Sequence, residues 1–295
     1  MRPIERIHHI SATVGDPVEN YTFYRDVLKL RLVKKTVNFE NDKFYHLYFS
    51  NDNVDQGTIM TLFPLGNSLY GRVGGGQVRT VAFLVPKDSI EEWKVHLKLK
   101  EVLFKERLFN GKASLTFNDP NELSIALVES NHHLKDNKII GFYGVELLST
   151  KPKETLHLLM DKMGLLFKKK SQDFYHLEML GKEKHQILIR REIERKGRLG
   201  IGTVHHIAWS VPNKEYLMNW KLELNEDSLI SDIEDRKYFK SLYMRDPGQI
   251  IYEFATEGPG FLVDEHFDEL GENLKLPQHF EEKRKAIEAN LPLLK

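Results

Sequence analysis

Two pairs of adjacent histidines stand in apolar, strand-like surroundings, His8 and His9 in IERIHHISATV and His205 and His206 in GTVHHIAWSV. An imidazole without a partner is expensive to bury, and a lone strand histidine is more often a hydrogen-bonded core residue than a ligand. Two matched pairs shift the reading towards a shared chemical task. Glu253, set in QIIYEFAT between Tyr252 and Phe254, is a carboxylate in similar company. It could be a strand-end glutamate reaching solvent; buried and ionised, it needs a partner or a cation. One imidazole from each pair plus this carboxylate would make the three-ligand set that leaves coordination positions open on non-heme Fe(II), with Mn(II) accepting nearly the same ligands. The chain has no cysteine, so disulfides, thiolate ligands and a thiol nucleophile are excluded, and a metal must be held by nitrogen and oxygen.

These side chains need strands to carry them. In the first run Ile7, His9 and Ser11 alternate with His8, Ile10 and Ala12, so strict alternation lets one imidazole of the pair look into a hollow while its neighbour serves another role or packs behind. A helical pattern, VENYTFYRDVLKL, follows, and then three short β-rich segments, RLVKKTVNF, KFYHLYFS and GTIMTLFPL, giving the order β-α-β-β-β. The order recurs over residues 77–129, again from FYGVELLS to KHQILIRRE, and finally from GTVHHIAWSVP to the strand holding Glu253. FYHL occurs twice, and DPN at Asp119 and DPG at Asp246 each precede a closing strand, so the first unit echoes the third and the second echoes the fourth. The spacing predicts an α+β protein of four tandem βαβββ units. The glycine-rich residues 66–76 precede a strand instead of a helix, which argues for a flexible connector over a phosphate loop. Beyond Glu257 the pattern predicts an irregular cover and then an amphipathic helix from about Pro277.

Among 295 residues, Lys plus Arg and Asp plus Glu both number 43, so no net field draws the chain to nucleic acid or to an anionic membrane. A small-molecule partner is expected. The N-terminal MRPIERIHHI lacks a long apolar segment, which predicts a cytoplasmic protein. Exposed sheet edges would permit a homodimer.

Four such units in tandem resemble the vicinal oxygen chelate superfamily of glyoxalase I, extradiol dioxygenases and bleomycin-resistance proteins, over about residues 4–256. The resemblance implies two glyoxalase-like modules with cup-shaped mixed sheets, placed at residues 1–135 and 136–258, with residues 259–295 as C-terminal cover and helix. IHHIS, HHIA, DRKYFKSLYMRDPG and YEF further resemble the hydroquinone-type ring-cleaving dioxygenases of that superfamily. From this resemblance the second histidine of each pair, His9 and His206, and Glu253 would be the metal ligands, with His8, His205, Arg236 and Tyr243 around them as catalytic residues. It implies Fe(II)-dependent cleavage of a hydroquinone or catechol-like phenol by dioxygen. Two rivals share the fold: a metal-dependent isomerase or thiol transferase like glyoxalase, and a ligand-sequestering protein without catalysis. A glyoxalase-like site wants a fourth ligand from GTIMTLF, whose polar side chains are only Thr58 and Thr61, and a pure binder leaves two histidine pairs unexplained.

Overall fold

A computed structural model describes residues 2–66, 68–224 and 230–294; Asn67 of the predicted connector lies outside the described residues. The first unit is β1 (Ile7–Val14), α1 (Pro17–Thr22, continued by a π-helical turn, Phe23–Val27), β2 (Arg31–Asn38), β3 (Asn41–Ser50) and β4 (Ile59–Pro64). The second is β5 (Gln77–Val85), α2 (Ile90–Leu99), β6 (Phe104–Phe109), β7 (Lys112–Asn118) and β8 (Ser124–Glu129). The third is β9 (Gly141–Leu148), α3 (Pro152–His157, with a π-helical turn Leu158–Lys162), β10 (Leu166–Lys170), β11 (Phe174–Glu178) and β12 (Gln186–Arg190). The fourth is β13 (Thr203–Val211), α4 (Lys214–Leu224), β14 (Glu234–Asp235), β15 (Lys240–Arg245) and β16 (Ile251–Thr256). Local signals account for these turns of chain. Asp16 caps α1 by accepting from the amides of Val18 and Glu19 at 2.8 Å each, with Pro17 in the first turn.

The strands form two mixed eight-stranded sheets, β14-β15-β16-β13-β1-β4-β3-β2 and β10-β11-β12-β9-β5-β8-β7-β6. The first joins units one and four through the antiparallel β1/β13 pair, and the second joins units two and three through β5/β9. Modules of consecutive units were expected, and here the structure departs from the sequence reading: the boundary at 135/136 falls inside the second sheet, between β8 and β9. The reason lies in the two long crossovers, which carry the chain out to the second sheet and back. They run side by side, the amides of Gly71, Arg72 and Gly75 donating at 2.8 Å to the carbonyls of Ile201, Arg198 and Arg195. The predicted flexible connector is therefore a paired one, and its glycines permit close approach: a Cβ on Gly74 would lie 2.3 Å from the Arg195 carbonyl oxygen. A single apolar cluster, containing Ile10 and Ile207 of one sheet and Val81 and Val145 of the other, runs through both.

The C-terminal cover turns through short 3-10 segments at Phe261–Val263, Phe267–Glu269 and Gln278–Lys283, and only then enters α5 (Arg284–Asn290). The helix thus begins a turn or two later than the pattern at Pro277 predicts. Lys34, wholly buried on β2, fastens the cover by pairing with Asp264 at 2.6 Å and with Glu265. Burying an ammonium is tolerable here because two carboxylates meet it.

Candidate metal centre

The histidine pairs sit on irregularities of the central β1/β13 ladder. Its pairing slips between Ile7 and His9 and again between Ser11 and Ala12, opposite His206 and Val204, so the extra residues are His8 and His205. Such bulges re-aim a side chain. Strict alternation would have turned His8 and His205 away from their neighbours; instead His8 Nδ1 lies 2.8 Å from His9 Nδ1, and His205 Nδ1 lies 2.8 Å from His206 Nδ1.

Register then brings in the carboxylate. Ala208 pairs with His9 on one side and with Glu253 on the other, which sets Glu253 two strands from β1 on the same face. Glu253 Oε2 lies 3.0 Å from His9 Nε2 and 2.8 Å from His206 Nε2, and the two nitrogens are 3.2 Å apart. All three side chains are buried, Glu253 completely. They are the one group of three metal-capable side chains found among the described residues.

The hydrogen bonds decide what these atoms offer. The Thr256 carbonyl oxygen, 3.1 Å from His8 Nε2, can only accept, so His8 carries its proton there and presents Nδ1 as an acceptor. Burial, followed by the nearby His9, pushes His8 down to about 3 and keeps it neutral. His9 then donates through Nδ1 and turns its Nε2 towards Glu253. Neither oxygen of Glu253 receives a properly directed hydrogen bond, close as the imidazoles are. Burial alone would raise the Glu253 carboxyl; His9 and His206 outweigh it and hold the group well below the ordinary carboxylate range. Burial lowers His206, against the pull of Glu253. Three basic groups so close need a positive charge among them, a proton in the metal-free protein or a divalent ion in its place. Three neighbouring corners of an octahedron with bonds of about 2.1 Å lie about 3.0 Å apart, the scale of the separations seen here. The donor set therefore fits a divalent ion.

Tyr243 pairs in register with Glu253 and sets its ring 5.5 Å from that of His206; burial, reinforced by Glu253, raises its phenol well above the usual range and keeps the O–H as a donor. Arg236 is less direct. Its guanidinium pairs with Glu234 and, at 3.6 Å, with Glu40, and packs over the rings of Phe39 and Tyr243, so it meets the centre through Tyr243. His205 is partly exposed and is pushed down to about 3 by burial and then by His206.

Sequence reasoning missed His46. Its ring lies between those of Tyr48 and Phe63, with centroids 4.1 and 4.2 Å away, and Phe63 also packs on His205 and His206. Burial holds His46 neutral, well below its ordinary value, and the charges of His9 and His206 add to this. The signal was the FYHL repeat, which served only to count units. Thr61 stands on β4 where Glu253 stands on β16, and its hydroxyl is engaged by Ser11 Oγ at 2.7 Å and His46 Nε2 at 3.1 Å. No fourth ligand is offered there.

Fold and site together define a class, and residues 6–127 match the family described as the glyoxalase/bleomycin resistance protein/dioxygenase superfamily. The chain belongs to it. It is 40% identical to "Putative ring-cleaving dioxygenase MhqE" of Bacillus subtilis, over 98% of this chain and 99% of that one, and within the superfamily it is a member of that ring-cleaving dioxygenase family. It is 28% identical to the chlorohydroquinone/hydroquinone 1,2-dioxygenase of Sphingobium indicum, over 94% of this chain and 93% of that protein. The crystal structure of a "putative dioxygenase" from Bacillus subtilis superimposes with a TM-score of 0.96 at 36% identity, covering 100% of this chain and 99% of the other. No helix among the described residues is long and apolar enough to cross a membrane.

Proposed function

We propose that this protein is an Fe(II)-dependent, extradiol-type ring-cleaving dioxygenase acting on hydroquinones or catechol-like phenols, with His9, His206 and Glu253 as its metal ligands and the cytoplasm as its place of work. The observation that carries the reading is the convergence of His9 Nε2, His206 Nε2 and Glu253 Oε2, buried and within 3.2 Å of one another. The names of the relatives support the substrate class. Bound there, Fe(II) would supply Lewis acidity towards a phenol oxygen and one-electron chemistry with dioxygen.

The chain's own groups divide the remaining work. His8 has both ring nitrogens engaged, one by the Thr256 carbonyl and one by His9, so it orients His9 and is not free to act as a base. With His206 donating through Nδ1, neutral His205 keeps its proton on Nε2 and can donate to a substrate oxygen. Tyr243 is a second donor on the same side. Together they suit a phenolate oxygen as negative charge develops, with Arg236 holding Tyr243 from behind. Engagement of Thr61 by Ser11 and His46 disfavours the glyoxalase-like alternative.

The test is anaerobic loading with Fe(II) followed by exposure to air and methylhydroquinone. Stoichiometric oxygen uptake with a new ring-opened chromophore is the expected outcome. No uptake by protein shown to carry iron would overturn the assignment.

A further inference from the structure

A cavity of about 290 Å³ lies behind His8, on the side of the ladder away from His205. Its floor belongs to the metal centre's own wall: His8 lines it, Ile59 is the register partner of His9, and Phe239 sets its ring 5.1 Å from that of His8 and 5.2 Å from that of His9. One layer of side chains thus separates this chamber from the three ligands. Its roof is the C-terminal cover, where Phe261 and Leu270 face inwards and the exposed Leu262 and Phe267 stand at its mouth. The cover is fastened by Lys34, by Lys237 at 2.6 Å from Asp264, and by the Tyr238 hydroxyl donating to Asp264 at 3.1 Å.

Size and lining select the occupant. An apolar cavity of about 150 Å³ already admits benzene, so this chamber has room for a single ring with a substituent. Aromatic walls from Phe239, Tyr238 and Phe261 suit a planar ring. Arg6 at the polar rim is held by Gln56, by Glu183 at 3.9 Å and by Glu257 at 3.7 Å.

We propose that this chamber is a second ligand site, taking a neutral single-ring aromatic molecule with an apolar substituent, and that Phe239 is the specificity-determining side chain between it and the metal centre. The second half rests on the reading of the protein as a dioxygenase; the first does not.

The probe is 4-tert-butylphenol, which lacks the second hydroxyl of a diol substrate, titrated calorimetrically into the full chain under anaerobic conditions. Saturable one-to-one binding is expected, weakened about tenfold or more by Leu262→Trp, which fills the chamber from an exposed position, and changed less than about threefold by Leu262→Ala. Glu253→Gln, which disables the metal centre, should leave the affinity within about threefold. Absence of saturable binding, indifference to Leu262→Trp, or loss with Glu253→Gln alone would each overturn the site. For turnover, Phe239→Leu is expected to shift the ratio of KM values for tert-butyl- and methylhydroquinone at least about fivefold, whereas a packing role would lower kcat for both alike. Wild-type protein that binds the phenol yet consumes no oxygen would overturn the dioxygenase reading and leave the chamber standing.

Discussion

The two sheets share a register down to their irregularities, yet only one of them builds a centre. The β5/β9 ladder slips between Val78 and Thr80 and between Ala82 and Phe83, as β1/β13 slips at His8 and His205. Matching the registers puts Thr80 where His9 stands, Gly144 where His206 stands and Leu188 where Glu253 stands; Arg79 and Tyr143 take the bulges. In the second sheet these positions serve packing. Leu188 lies in an apolar cluster with Ala82, Ala126 and Tyr143, and a Cβ on Gly144 would come 1.9 Å from the Gln186 carbonyl oxygen. A common backbone platform is therefore not enough: strands β9 and β12 have closed on the space that a ligand side chain would need.

The largest effect should come from importing the second sheet's residue into the first. Glu253→Leu is expected to lower metal affinity by roughly 10³-fold or more, beyond the about 10–100-fold that outer partners cost, as read by metal analysis after dialysis. Working in the opposite direction, Gly144→Ala should destabilise by about 3 kcal/mol in denaturant titration, since backbone must move to admit one methyl. If that variant proved as stable as the parent, the account of why the second sheet lacks a centre would fail.

Next comes the bulge itself. His8→Phe keeps ring volume but removes the acceptor for His9 Nδ1–H, and metal affinity should fall about 10–100-fold with the fold retained by circular dichroism.

Smaller effects separate the sheets by pH. Burial lowers His8, His46, His205 and His206 in the first sheet, so the unfolded chain binds more protons there below its value of about 6.5. Metal-free protein should lose stability progressively as pH falls from about 6.5 towards the folded values near 3 of His8 and His205. Glu146 in the second sheet has the opposite sign. Burial raises its carboxyl, so the folded state holds the extra proton, and stability drops as pH rises from the unfolded value near 4.5 through the folded one. Glu146→Gln, which retains an acceptor for Thr80, is therefore expected to raise the melting temperature at pH 7 by about 1–2 °C and to do nothing near pH 4.

Much of this was legible in the chain. The four units follow from period-2 and period-3.6 patterns that local sequence carries, and Glu253 stood out because a carboxylate interrupts an apolar strand. His46 was not legible, because a histidine between aromatic residues reads as packing until its neighbours across the sheet are known. Arg236 looked like a direct participant, and one of the acidic residues that engage it, Glu40, comes from a hairpin in the first unit, far away along the chain.

By itself the sequence determined the residue types able to bind a metal, the repeated unit that carries them, and the family to which the chain belongs. It did so because alternation and helical period are properties of neighbouring residues. Tertiary structure decided that unit one pairs with unit four, that each histidine pair falls on a bulge, and that atoms of His9 and His206, 197 positions apart, come within 3.2 Å. Those facts depend on ladder register between distant strands, where a slip of one residue turns every side chain to the other face.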